Sequence, residues 1–243
     1  MSIHFSRIFA LELLENGGEN PGVSKIYFGG GPYSYINWVQ NDFMVRDLTY
    51  TPLLINPKRR DEYFVDLRSI KVHGFTVPIN KKLLSINKKT GIGGTKVDIL
   101  IPYTTLETSI YKAFIQTHFE WAGKWNIQNG IWMDHPVNIS RVAPVSPFTA
   151  CYNSSTLPRV SAFSGDYLSG ASVALIFPKS VWNISLFDLV RVNEGVDCVG
   201  VLDGGSNPTT SIVIGARQIS FLEFDISRSR LGFVEPNLHE SSF

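Results

Sequence analysis

Gly93-Gly94-Thr95-Lys96-Val97-Asp98-Ile99-Leu100 is the stretch that decides how this chain folds. Two glycines open it, as expected where the backbone turns tightly or passes close to another segment. Thr95-Lys96-Val97 then alternates like a short strand, and Asp98 ends it. One way for a carboxylate to activate water is beside a second carboxylate that shares its proton, since two like charges in contact cannot both ionise. In such a pair a hydroxyl next in sequence can brace the loop by hydrogen bonding, and a glycine after it lets two backbones approach. Ile99 donates nothing, and Leu100 adds bulk. No upstream Asp supplies the second loop: Asp42, Asp47, Asp61 and Asp66 are followed by Phe-Met, Leu-Thr, Glu-Tyr and Leu-Arg. Asp203-Gly204-Gly205 reads as a turn. Asp98 is therefore expected to be a partly exposed strand-end carboxylate.

Immediately downstream, Thr104-Thr105-Leu106-Glu107 has the spacing of a capping box, which predicts a helix beginning after Thr104. Leu106, Ile110, Ala113 and Phe114 fall at three-four spacing, Thr117 continues that face, and Ala122-Gly123 is the expected stop. Upstream the signals are all strand. Ser24–Phe28, Leu48–Leu54, Glu62–Leu67, Ser69–Val72 and Phe75–Val77 are short runs punctuated by Gly, Pro and Asn. Further on, Ser211-Ile212-Val213-Ile214-Gly215 suits a fully buried strand that another segment crosses closely. Phe221–Asp225 alternates, and Arg230–Val234 gives a last strand. The pattern predicts an all-β architecture with minor α content.

Composition narrows the function. The chain has 243 residues, 44% of them apolar, with 16 Phe and 5 Trp, enough for a large aromatic core. Lys and Arg total 22 against 21 Asp and Glu, so the overall balance does not favour nucleic acid or an anionic membrane as partner. The runs Pro57–Arg60, Lys81-Lys82 and Lys88-Lys89 read as solvated loop charges. No window holds the 18 or so uninterrupted apolar residues of a membrane span. His4, His73, His118, His135 and His239 are scattered without metal-ligand spacing, so neither metal nor cofactor is expected.

Signals for cellular compartment conflict. Glu12 and Glu15 interrupt the apolar run at the N-terminus, so this run is not expected to serve as an export signal. Asn138-Ile139-Ser140, Asn153-Ser154-Ser155 and Asn183-Ile184-Ser185 are nevertheless glycosylation sequons, whereas Pro208 excludes Asn207. Cys151 and Cys198 admit two readings, a disulfide or two buried thiols.

Several segments together resemble one family: SKIYFGGGPY (24–33), YTPLLINP (50–57), EYFVDLRSIKVHG (62–74), GGTKVDILIPYTTLETSIYKAF (93–114), VDCVGVLDGGSN (196–207), TSIVIGARQ (210–218) and FDISRSRLGF (224–233). They read like the second half of the plant pepsin-fold inhibitors, the group of xylanase inhibitors, endoglucanase-inhibiting dermal glycoproteins and basic globulins. The resemblance implies a pepsin-like aspartic protease fold, represented by the C-terminal lobe plus the end of the N-terminal one. On that basis residues 1–60 are expected to be a remnant of the first lobe with inter-lobe strands, 61–236 the C-terminal lobe and 237–243 a tail.

The resemblance also implies a function. Members are secreted to the cell-wall space, where they bind microbial glycoside hydrolases and block their clefts. They typically lack an intact second Asp-Thr/Ser-Gly, which Asp98-Ile99-Leu100 fits, leaving Asp98 vestigial. It further implies a Cys151–Cys198 disulfide. Where members read Phe-Ala-Leu-Cys-Leu, this chain has Phe9-Ala10-Leu11-Glu12-Leu13, losing a cysteine that normally reaches the first lobe. Some members present a C-terminal histidine to their target, but the spacing of His239 from Leu231-Gly232-Phe233 differs and the role is not carried over. Two other readings stand beside inhibition: an aspartic-type endopeptidase, and a truncated non-functional member. A lobe alone exposes the face and sheet edge its partner lobe would cover, so the missing lobe or self-association is an expected contact.

Overall fold

The computed structural model describes residues 6–13, 24–37, 40–45, 48–132, 138–157, 159–162, 165–168, 173–184 and 189–234. His4, His135 and His239, like Ser185 of the third sequon, lie outside them.

Short β-branched and aromatic runs pair into a ten-stranded sheet that carries most of the core. From one edge its order is Val201–Asp203, Thr104–Leu106, Ile212–Ile214, Thr95–Val97, Arg59–Val65, Thr49–Asn56, Arg230–Phe233, Phe221–Asp225, Ile8–Glu12 and Lys25–Phe28. Most neighbours are antiparallel. The exceptions are 104–106 beside 201–203 and 95–97 beside 212–214, which run parallel. Parallel neighbours need long crossovers, so these pairings join segments distant in sequence.

A four-stranded sheet of Val181–Ile184, Val173–Ile176, Ser69–Val72 and Phe75–Thr76 packs against the first. Trp182 stacks on Phe233 with ring centroids 5.1 Å apart, and Phe177 approaches the same ring at 6.1 Å. A third sheet joins Arg141–Val142, Cys151–Asn153, Val196–Val199 and Leu189–Asn193 around Phe148 and the two cysteines.

One long helix, Thr108–Trp132, lies over this core. It differs from the sequence expectation at both ends. Thr104 does not cap it: Thr104–Leu106 is a strand, and the Thr104 hydroxyl instead donates to Gln218 Oε1 at 2.8 Å and accepts from Gly215 N at 3.1 Å. The cap is Glu107, whose Oε2 accepts from Ser109 N at 2.9 Å and Ile110 N at 3.2 Å. These are two of the orphan donors at any helix start, and a carboxylate there also faces the favourable end of the helix dipole. Nor does the helix stop at Gly123; it continues through that residue to Trp132. Its inner face holds Ile110, Phe114, Thr117, His118 and Trp121, all buried.

The strand Phe221–Asp225 also departs from expectation. Its alternating pattern predicts one wet face, yet all five residues are buried. Strands 8–12 and 230–233 flank it, and both of its faces are covered.

Candidate functional site

The two glycines before Thr95 are there because nothing larger fits. Both take positive φ, +93° and +79°. A Cβ on Gly93 would sit 2.5 Å from the Ser85 carbonyl oxygen, and one on Gly94 would sit 2.7 Å from Ile86 Cγ1. This close fit seats the 95–97 strand between 59–65 and 212–214 and delivers Asp98 to the strand's end. Asp98 N donates to the Ile214 carbonyl at 3.0 Å.

Both oxygens of the Asp98 carboxylate have local partners. Oδ1 accepts from Leu100 N at 3.0 Å, closing a turn over Ile99. Oδ2 lies 3.1 Å from Lys96 Nζ, which also donates to Glu62 Oε1 at 2.8 Å. Glu62 Oε2 in turn lies 3.0 Å from Arg59 Nη1, and that guanidinium donates to Thr210 Oγ1 at 2.6 Å. Burial pulls the Lys96 pKa down, but hydrogen bonds to Glu62 and Asp98 outweigh it and leave the pKa above the ordinary lysine value. An ammonium thus stands between the two carboxylates where a proton-sharing pair would need direct contact. Ile99 is 38% exposed and Leu100 89% exposed, so the positions of the hydroxyl and the glycine in a working loop carry solvent-facing hydrocarbon. Asp203 sits in the expected turn, its Oδ1 accepting from Gly205 N at 2.9 Å and Thr108 Oγ1 at 2.6 Å.

Gly215 confirms the predicted crossing. Its Cβ would lie 2.5 Å from the Tyr103 carbonyl carbon and 2.9 Å from Thr104 N. Two passes of backbone meet there, and the Thr104–Gln218 hydrogen bonds pin them.

Cys151 and Cys198 face each other in register on adjacent antiparallel strands and form a disulfide. It closes a loop of 47 residues, worth about 4 kcal/mol in the chain-entropy account. Among the sequons, Asn138 and Asn183 are exposed. Asn153 is half-buried, and its Oδ1 accepts from Ser155 N at 3.0 Å and Ser155 Oγ at 2.8 Å.

Glu12, which stands where the resembling proteins have cysteine, is wholly buried. Tyr27 Oη donates to its Oε2 at 2.8 Å, and Lys25 Nζ lies 3.2 Å away. The neighbouring strand therefore supplies its partners.

One cluster answers to no sequence motif. His73 stacks on Trp121 at 3.6 Å, and its ring lies 5.2 Å from that of His118, which contacts Tyr152 Oη at 3.2 Å. His118 and Trp121 share a helix face at i, i+3, but only the packing of the helix on the 69–76 turn brings His73 and Tyr152 to them. Among the described residues no group of three or more His, Cys, Asp or Glu is arranged to hold a metal ion.

A domain family described as "Xylanase inhibitor C-terminal" matches residues 62–235. The chain belongs to this family. It is 39% identical over 242 residues to the "Probable aspartic proteinase GIP2" of Nicotiana benthamiana, covering 94% of this chain and 50% of that protein. The "Basic 7S globulin" of Glycine max is 34% identical over 88% of this chain and 45% of its own length. Among solved structures, that of "edgp" superposes with a TM-score of 0.76 at 36% identity, covering 95% of this chain and 54% of that one. The soybean basic 7S globulin structure gives 0.67 at 29% identity, over 97% of this chain and 54% of that one. The chain spans about half the length of the curated relatives it matches. Its fold is the pepsin-like one of this family, whose members carry the names of proteinases in some cases and of globulins in others.

Proposed function

We propose that the chain acts as part of a non-proteolytic binding protein that inhibits microbial cell-wall-degrading glycoside hydrolases, xylanases or endoglucanases, in plant defence. The observation that carries this is Asp98. Its carboxylate is tied to Leu100 N and Lys96, and Ile99 and Leu100 replace the donor and the glycine that water activation needs. The protease scaffold is retained while its chemistry is blocked, which suits occlusion of a partner's cleft. Membership of the xylanase inhibitor family supports the choice of partner. An extracellular, cell-wall location goes with this reading, supported by the disulfide and by the exposure of Asn138 and Asn183.

Titration of fungal and bacterial xylanases and xyloglucan-cleaving endoglucanases with the purified chain tests the proposal. Stoichiometric loss of rate for at least one enzyme is expected. An unchanged rate at micromolar excess across the whole panel overturns it. Cleavage of a denatured protein substrate at pH 3–5, abolished by Asp98→Asn, would instead establish the endopeptidase reading.

A further inference from the structure

Residues 57–90 carry nine Lys and Arg against three Asp and Glu, in a chain whose totals are 22 and 21. Two of the three acids are engaged locally: Glu62 with Lys96 and Arg59, and Asp66 with Arg68. Asp61 is the third, and it is exposed. Folding draws the cationic runs together. Asn56 Nδ2 and Arg59 Nη2 both donate to the Gly91 carbonyl, at 2.8 and 2.7 Å. The turn bearing Lys88 and Lys89 is thereby fastened to the hairpin turn bearing Lys58. Lys58, Lys81, Lys82, Lys88 and Lys89 are all exposed, and none forms an ion pair with a described carboxylate.

Beside them lies a cleft of about 320 Å³, formed by residues from 54–55, 66–68 and 81–88. Leu54, Ile55, Leu84 and Ile86 form its apolar lining; Asp66 and Arg68 line it as an ion pair, which leaves Lys81 and Lys88 as its unpaired cations. Ile55 is 75% exposed, an aliphatic side chain presented to solvent among unpaired ammonium groups. Solvation alone accounts for the lysines but not for the apolar surface between them. A small apolar centre inside a charged rim is the anatomy of a protein-recognition site, and this volume suits one large side chain with its flanking backbone. No aromatic ring lines the cleft, so it lacks the flat platform on which a pyranose would stack.

We infer that this cleft is a docking site for an acidic peptide segment, one aliphatic side chain entering between Ile55 and Leu84 while flanking carboxylates meet Lys81 and Lys88. Like charges on one face attract an oppositely charged partner and speed its arrival, in a salt-dependent way. The site is separate from the Asp98 loop and does not depend on the glycanase reading.

The test uses a fluorescein-labelled heptapeptide with one leucine centred among six aspartates and glutamates, titrated with the whole chain at low salt. Saturable binding is expected, weakening about tenfold or more when serine replaces the leucine, the scale of one buried aliphatic side chain. The double variant Lys81→Glu, Lys88→Glu should weaken binding by a similar factor. A control with equal charge change elsewhere, Lys112→Glu with Lys179→Glu, should leave it within about twofold, both residues being exposed on other elements. Equal losses in both double variants, or indifference to the leucine, would reduce the effect to net charge and overturn the proposal. So would saturable binding of oligogalacturonate or of phosphatidylserine vesicles without binding of the peptide.

Discussion

The Tyr33 hydroxyl donates to Glu223 Oε2 at 2.7 Å, although the two residues stand 190 apart in the chain. Tyr50 donates to the other oxygen, Oε1, at 2.8 Å. Glu223 is buried on a central strand, and these phenols replace the water it has lost. Burial, then the hydrogen bond to Glu223, pushes both phenols up, Tyr50 to about 12. A folded-state pKa above the unfolded one means full stability below about pH 10 and progressive loss as pH rises towards 12. Tyr33→Phe should cost about 1.5–3 kcal/mol at neutral pH, the worth of a hydrogen bond to a charged group. Urea unfolding at pH 7 checks this, and Tyr50→Phe should flatten the alkaline limb in a pH series from 9 to 12.

Asp225 sets the acid limb. It is fully buried, and burial raises its pKa, but hydrogen bonds from Ser227, Arg230 and Arg228 outweigh that and hold it down to about 2. Its stabilisation is thus present above about pH 4 and lost as pH falls through 2. In Asp225→Asn the protein should be less stable at pH 6, and the wild-type decline between pH 4 and 2 should shrink. Thermal melts across that range read both effects.

Gly215 tolerates no side chain. Its absent Cβ would lie 2.5 Å from a carbonyl carbon of Tyr103, and backbone cannot rotate away as a side chain can. Gly215→Ala should destabilise by about 3 kcal/mol, the upper part of the overpacking range. Gly123→Ala is the contrasting case. The residue lies in the middle of the helix with open space around the added methyl, so it should gain about 0.5–1 kcal/mol.

Asp98 should be dispensable for stability. Its bond to Lys96 is partly exposed, so Asp98→Asn is expected to change stability by less than about 1 kcal/mol. Restoring the donor and the glycine through Ile99→Thr with Leu100→Gly should yield no acid protease activity, since Lys96 still separates Asp98 from Glu62. A quenched-fluorescence peptide assay at pH 3–5 decides it.

Local steric rules made part of this molecule legible. Gly93-Gly94 and the glycine after Ile212-Val213-Ile214 each mark a place where two backbones touch, and both contacts are found. Distant pairing hid the rest. Thr104-Thr105-Leu106-Glu107 satisfies the capping-box spacing, but the parallel neighbour 201–203 draws Thr104 into a strand and leaves Glu107 to cap alone. Phe221–Asp225 alternates like a half-wet strand, and nothing nearby in sequence shows that Tyr33 and Tyr50 will satisfy Glu223. The basic runs were visible as charge, but their convergence depends on a contact between Asn56 and Gly91.

The parallel pair of strands 95–97 and 212–214 has a consequence for how the chain comes to be folded. Synthesis delivers Thr95 long before Ile212, and strand 8–12 before its partner at 221–225. Through most of translation, the centre of the large sheet therefore lacks the segments that complete it. Contacts of such long sequence separation form slowly, and the waiting strands expose edges and apolar faces meanwhile. Residues 212–233 thus act as the fastening of the large sheet, and a ribosome that stalls before them releases a chain that chaperones must hold rather than a smaller folded unit.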